Sequence, residues 1–157
     1  MQIPKKKTEK KVVECITTDG IKLILAQPNQ NSLLEKKHLV ILSFIYATGA
    51  RVQEVIDVTI NDFRYNNSDN IKLKGKGNKA RLVPLENSMI KMLEKYIEHE
   101  KKSRVFFNPD DLLFLNKSCK QFTRQGIGYI IKKYSSMARD INSKLIPINV
   151  HPHTFRH

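Results

Sequence analysis

The stretch Leu39-Val-Ile-Leu-Ser-Phe-Ile-Tyr-Ala-Thr-Gly-Ala-Arg51-Val-Gln-Glu54-Val-Ile56 sets the architecture of this chain. From Leu39 to Ala47 it is apolar on nearly every face of a helix, interrupted only by Ser43. A helix without a polar side belongs at the centre of a core. Thr48-Gly49 stops it, and Arg51-Val-Gln-Glu54 opens a second helix that carries Val52, Val55 and Ile56. Arg51 and Glu54 then stand one turn apart. That spacing fits a surface i,i+3 ion pair. It also admits a guanidinium held by a carboxylate and aimed at a phosphate, a task suited to a planar, always-charged donor fork.

Working outward, Thr17, Thr18 and Asp19 supply capping oxygens ahead of Ile21, Leu23, Ile24 and Leu25, which read as a short amphipathic helix ended by Gln27-Pro28-Asn29. The core helix begins near Leu33. Downstream, Asn66-Asn-Ser-Asp-Asn70 is a turn cluster. Ile71 and Leu73 then alternate with Lys72 and Lys74, the period of a half-buried strand. Gly75-Lys-Gly-Asn78 turns the chain, and Ala80, Leu82 and Val83 return, so a β-hairpin is predicted with Lys76 at its tip.

Asn87 or Ser88 caps the next helix, with Met89, Ile90, Leu93, Tyr96 and Ile97 on one face. Leu112 to Leu115 reads as a short buried strand or extended segment. Thr123 caps a further helix with an apolar stripe of Ile127, Ile130, Ile131, Tyr134 and Met137, and with Arg124, Lys132, Lys133 and Arg139 on its other side. Gly126-Ile-Gly128 is not a dinucleotide loop, because no strand precedes it and a third glycine is missing. The expected fold is therefore mainly α with a small antiparallel β-sheet (α+β), built on the hairpin and a strand near Leu113. Residues 1–16 form a basic tail or linker containing Lys5, Lys6, Lys7, Lys10 and Lys11, and residues 17–157 form one domain.

Twenty-eight Lys and Arg against 15 Asp and Glu leave a net charge of +13 on 157 residues. A polyanion suits such a surface, since each neutralised phosphate releases condensed counterions. Cys15 and Cys119 lack metal-ligand spacing and read as buried, reduced thiols. The longest apolar run is too short to span a bilayer and lies inside the chain, unlike a signal peptide, so no membrane association and a cytoplasmic location are expected.

Two further groups could carry chemistry. Lys76 between two glycines is an ordinary turn, or else an ammonium that reaches a scissile bond and gives a proton to a leaving alkoxide. His153-Thr-Phe-Arg156-His157 puts His153, Arg156 and His157 on one face if helical. Zinc is set aside as the use of His151, His153 and His157: no Cys, Asp or Glu accompanies them, and Arg156 would repel the metal.

Taken in order, these groups resemble the active-site boxes of the tyrosine recombinases, particularly the Xer-like and the phage or transposon integrases. The first box looks like Tyr46-Ala-Thr-Gly-Ala-Arg51-Val-Gln-Glu54, and the hairpin lysine like Gly75-Lys76-Gly-Asn-Lys-Ala-Arg-Leu-Val-Pro84. The second box, His-x-Leu-Arg-His, looks like His153-Thr-Phe-Arg156-His157, with Phe155 in place of leucine. The resemblance covers Thr17 to His157 and implies a catalytic-domain fold. It implies that Arg51 and Arg156 clamp the scissile phosphate, that Lys76 protonates the departing 5′-oxygen, and that His153 shares in phosphate binding and proton transfer. Glu54 and His157 would support them. Lys74 and Lys79 lie within reach of the same turn, and the Gly-Lys-Gly match selects Lys76. Lys74, Lys79, Arg81 and Arg124 would contact double-stranded DNA. The implied chemistry is transesterification through a 3′-phosphotyrosine, with no metal or other cofactor.

The sequence departs from the family pattern beyond the second box. The family has a third box and then its nucleophilic tyrosine, whereas Tyr46, Tyr65, Tyr96, Tyr129 and Tyr134 all precede His153. An N-terminal helical domain that clamps the DNA is also missing from the pattern. The expectation is a partial catalytic domain that does not cleave DNA alone and is monomeric, from a protein that forms tetramers on DNA when full length. Two other classes compete: a DNA-binding module with the same fold and no chemistry, and a basic RNA-binding or ribosome-associated protein. The last explains the charge but not the ordered set of Arg51, Lys76, His153 and Arg156.

Overall fold

The computed structural model describes residues 15–156; the basic run Lys5 to Lys11 and His157 lie outside them. Six α-helices and one hairpin occur in order: α1 (Thr18–Leu25), α2 (Leu33–Thr48), α3 (Val52–Asp57), β1 (Asn70–Lys74), β2 (Ala80–Pro84), α4 (Asn87–Ser103), α5 (Arg124–Ile141) and α6 (Pro152–Phe155). Three helices start where a hydroxyl accepts an otherwise orphan N–H. Thr17 takes the Gly20 N–H at 3.2 Å, Ser32 that of Glu35 at 3.3 Å, and Thr123 that of Gly126 at 2.9 Å.

α2 runs through the middle of the core, as its apolar circumference requires. Ile41, Leu42, Phe44 and Ile45 are all fully buried. α4 packs on one side of it, and α5 lies against α1 and α3. Phe44 meets Phe114 edge-on at 5.3 Å, and the Tyr96 ring leans on Phe114 from α4. Burying each such side chain contributes roughly 1.5–3 kcal/mol, so α2 is a fixed platform for the turn at its C-terminal end.

The hairpin pairs Asn70 with Pro84, Leu73 with Arg81 and Lys74 with Ala80. Ile71 and Leu73 face inward, and Lys74 is exposed. Leu112 to Leu115, expected as a strand, is extended but does not join this two-stranded sheet. It makes only isolated bridges, Thr59 with Leu112 and Leu115 with Gln121. Side chains take the carbonyls that a neighbouring strand would have used. Arg104 donates to the Leu112 and Leu113 oxygens at 2.7 and 3.0 Å, Tyr96 to Leu113 at 2.8 Å, and Lys37 to Leu115 at 2.9 Å.

Four smaller expectations are corrected. Glu86, not Asn87 or Ser88, is the N-cap of α4; Leu85 is buried and bonded to the Asp69 carbonyl, so the chain turns into helix directly after it. Met137 is exposed, and Ala138 takes the inner position at that turn of α5. Cys15 and Cys119 are both free and exposed rather than buried. α6 stops at Phe155, with Arg156 in extended conformation, so His153 and Arg156 do not continue along one helical face. Among the described residues, no helix is long and apolar enough to cross a membrane.

Candidate active site

The turn between α2 and α3 is the floor of the site. α2 ends when Gly49 adopts the left-handed conformation, φ 65°, with its N–H on the Ile45 carbonyl; a side chain there would be strained. Thr48 braces the turn by donating its hydroxyl to the Phe44 carbonyl at 2.7 Å and accepting the Ala50 N–H at 3.1 Å. Ala50 is buried, and Arg51 emerges as the N-cap of α3 with its side chain exposed. Among the described residues, its guanidinium has no hydrogen-bond or ion-pair partner. The donors it carries are open to solvent.

Glu54 lies beneath this turn. Its carboxylate accepts the Arg51 backbone N–H at 2.8 Å, which fixes the start of α3, and it does not pair with the Arg51 guanidinium. Its charged partner is Arg81 of β2, whose Nε reaches Oε2 at 3.2 Å and whose Nη2 reaches Oε1 at 3.0 Å. The Glu54 side chain is only 4% exposed. Burial pushes its carboxyl pKa up, but the Arg81 hydrogen bonds, the Arg51 N–H and both arginine charges outweigh that and hold it below the usual carboxylate value. Glu54 is thus ionised at neutral pH and lends negative charge to a floor rimmed by arginines.

The hairpin carries Lys76 to the rim of the same floor. Its tip closes with the Gly75 N–H on the Lys79 carbonyl at 2.7 Å. A Cβ on Gly75 would stand 3.2 Å from that carbonyl oxygen and 4.0 Å from Glu54 Oε2, so the backbone passes close over the buried carboxylate. Lys76 itself is exposed.

From the other end of the chain, Phe155 of α6 is fully buried and meets the Tyr46 ring edge-on at 6.4 Å. That anchor fixes α6 against α2 and places the next residue, Arg156, over the turn. Arg156 Nε donates to the Gly49 carbonyl at 2.7 Å, across 107 residues of sequence. Arg81 Nη2 approaches the same oxygen at 3.4 Å. Arg51, Glu54, Arg81 and Arg156 therefore surround one turn. His153 lies on the exposed side of α6, its ring stacked on that of His151 at 5.4 Å, with no hydrogen bond among the described residues.

The other sequence candidates are dispersed. Lys74 lies on the opposite side of β1 from Leu73 and reaches buried Asp62 at 4.0 Å. Lys79 is exposed at the tip. Arg124, at the start of α5, donates to Gln53 Oε1 of α3 at 3.1 Å. A groove of about 640 Å³ runs between α2 and α4, and none of Arg51, Lys76, His153 or Arg156 lines it. Among the described residues, no cluster of three His, Cys, Asp or Glu could hold a metal ion.

Sequence reasoning missed the partnership of Arg81 with Glu54, though a signal was present. In a hairpin whose tip is Gly75 to Lys79, Leu73 faces Arg81, and directly opposed residues project to one side of the ladder. An arginine on the apolar side needs a buried carboxylate, and Glu54 stands one turn into the adjacent helix.

The turn gathers the Arg51, Arg81 and Arg156 guanidiniums around the buried Glu54 carboxylate, with the hairpin tip that carries Lys76 passing close by. It suits a tetrahedral oxyanion that gains charge as it reacts. Residues 14–157 match the phage integrase family, and the chain belongs to it. It is 34% identical over 151 residues to the tyrosine recombinase XerD of Staphylococcus haemolyticus, covering 96% of this chain and 49% of that protein. It is 31% identical over 158 residues to XerD of Oceanobacillus iheyensis, covering half of it. The chain thus spans about half the length of the curated relatives it matches. Among solved structures, XerA recombinase superposes with a TM-score of 0.70 at 21% identity, over 90% of this chain and 47% of that one. A Tn1549 transposon integrase in complex with transposon right end DNA superposes at 0.72 with 16% identity, over 94% and 52%. The fold is the tyrosine recombinase catalytic-domain fold, mainly α with its small antiparallel sheet.

Proposed function

We propose that this chain supplies the phosphate-activating part of a site-specific DNA recombinase that breaks and rejoins strands through a 3′-phosphotyrosine. The observation that carries the reading is the bond from Arg156 to the Gly49 carbonyl, which brings a C-terminal arginine onto the turn that presents Arg51. The two guanidiniums take the non-bridging oxygens of the scissile phosphate and stabilise the charge of the five-coordinate transition state. Losing one such donor costs roughly 10²–10³ in rate. Lys76 gives its proton to the departing 5′-oxygen, and His153 shares in phosphate binding and proton transfer with the nucleophile. Glu54 acts from below, by fixing the Arg51 backbone. The DNA duplex is held by the net charge of +13, with Lys74, Lys79 and Arg124 among its phosphate contacts.

The nucleophile is none of the five tyrosines of this chain, and the chain by itself does not cleave DNA. Tyr96 is buried with its hydroxyl on the Leu113 carbonyl. Tyr134 is buried between His38 and Glu35. Tyr46 packs on Phe155, and Lys72 covers Tyr65. Tyr129 is exposed on α5, where it lines a groove with Phe122 and Lys133. Strand cleavage by the purified 157-residue chain, lost in Arg51→Ala, would overturn this.

The decisive experiment incubates the complete gene product with a nicked duplex carrying its own element's end, resolved on a denaturing gel. A covalent protein–DNA band that disappears in Arg51→Ala and Arg156→Ala supports the recombinase. Salt-sensitive binding with no band on the correct site would instead make this a non-catalytic DNA-binding module. Sedimentation of both species tests the associated expectation: a monomer for this chain, and a tetramer on DNA for the complete product.

A further inference from the structure

We propose that Arg81 is the positioning residue for Lys76, holding the hairpin on Glu54 and Gly49 so that the ammonium stands at a set place beside Arg51 and Arg156. The assignment rests on the recombinase reading. It differs from the sequence expectation that Arg81 is a DNA contact.

The side of the ladder comes first. Arg81 is opposite fully buried Leu73, so it turns inward, whereas Lys74 is on the other side with Asp62. Two of its nitrogens are committed to protein: Nε to Glu54 Oε2, and Nη2 to Glu54 Oε1 and the Gly49 carbonyl. A guanidinium used in this way has no side-by-side pair of N–H groups left for a bidentate grip on phosphate.

Beyond its backbone ladder to β1 and the packing of Val83 on the core, the returning strand has few other ties. Ala80, Arg81, Leu82 and Pro84 of β2 are exposed, and Lys76 has no hydrogen bond or ion pair among the described residues. The place of Lys76 is therefore inherited from the backbone of its tip. The tip is closed by the Gly75–Lys79 bond on top of the Lys74–Ala80 ladder pair, and Arg81 ties it to the α2–α3 turn two residues after Lys79. Its anchor points, Glu54 and Gly49, are those that also fix Arg51 and Arg156. One guanidinium thus registers the proton donor against both phosphate ligands. Lysine would not replace it, because a single ammonium does not present the planar fork that spans a carboxylate edge.

The test uses the complete gene product and two nicked duplexes of its site, identical except that one carries sulfur as the bridging 5′ atom of the scissile phosphate. On the oxygen substrate the tyrosine gives its phenolic proton towards His153 as its oxygen bonds to phosphorus, the bond to the 5′-oxygen breaks, and that oxygen takes the Lys76 proton. On the sulfur substrate a thiolate departs, and with a thiol pKa of about 8.5 it needs no proton. Lys76→Ala is expected to lose roughly 10²–10⁴ in cleavage rate on oxygen and to recover on sulfur, while Arg51→Ala stays slow on both. Arg81→Lys is expected to behave like Lys76→Ala: at least about tenfold slower on oxygen, and near the unmodified protein on sulfur. The ratio of the two rates does not depend on the folded fraction, so a merely destabilised protein leaves it unchanged. If Arg81→Ala does not fold, Arg81→Lys carries the test.

Equal slowing on both substrates, or no slowing on either, overturns the assignment. A protein that forms no covalent complex removes the recombinase reading itself and this assignment with it, whereas a covalent complex with Lys76→Ala fully active on oxygen removes Lys76 as the proton donor and this assignment alone. The two failures are therefore distinct in the data.

Discussion

Glu54 and Glu100 are both nearly sealed from solvent, with side chains 4% and 8% exposed, and each is gripped by one arginine. Around Glu100 every donor ends on protein. Arg104, 6% exposed, bonds Oε2 at 2.8 Å and spends its remaining nitrogens on the Leu112 and Leu113 carbonyls. Lys37 takes the other oxygen at 3.5 Å and caps Leu115. Around Glu54 the partner Arg81 is 47% exposed, and the Arg51 and Lys76 cations above it end in solvent. The ion pair is alike in both places. What separates a brace from a site is the presence of donors left over.

Four substitutions test that contrast. Arg104→Ala should cost the most, about 3–5 kcal/mol, because it strands the Leu112 carbonyl and leaves the buried Glu100 carboxylate with Lys37 alone at 3.5 Å; urea melts of the chain measure it. Arg81→Ala should cost only about 1–2 kcal/mol, since water enters a half-exposed pair and solvates what remains. A loss equal to that of Arg104→Ala would break the distinction between closed and open networks.

A third buried network, without an arginine, sharpens the comparison through pH. His38 Nδ1 lies 2.7 Å from the Tyr134 hydroxyl, which donates to Glu35 Oε1 at 3.2 Å. With its proton on Nδ1, a neutral His38 completes that chain. Burial, and next the nearby Lys133 charge, lower the His38 pKa from 6.5 to about 4, against an opposing pull from Glu35. The folded state thus resists the proton that the unfolded state accepts. Its contribution is complete above pH 6.5 and is lost as pH falls towards 4. Stability measured across that window should decline with falling pH, and His38→Gln should flatten the decline. The smallest effect belongs to Arg124→Ala, which removes one exposed bond to Gln53. It should change stability by no more than about 0.5 kcal/mol, while lowering the salt slope of DNA binding by about one if it meets a phosphate.

Much of the fold was legible because local chemistry and packing agree in it. Thr17 and Thr123 cap where their hydroxyls stand, and the apolar run of α2, broken only by Ser43, could only be central. Leu112 to Leu115 was legible as extended but not as staying out of the sheet, because its composition is that of a strand while its carbonyls are satisfied by side chains from as far away as Lys37. The candidate site was legible as three separate boxes. What joins them was not, because the joints are a backbone oxygen at Gly49 and a cross-ladder arginine, and neither leaves a local pattern.

The oxygen shared by Arg81 and Arg156 belongs to the main chain, and no codon change deletes it. A substitution scan would find the two arginines as separate contributors whose deficits fail to add, the mark of a common partner. Replacing Gly49 would strain the turn and move the oxygen without removing it. Genetics can therefore report that these positions communicate, while the atom through which they do so stays beyond its reach.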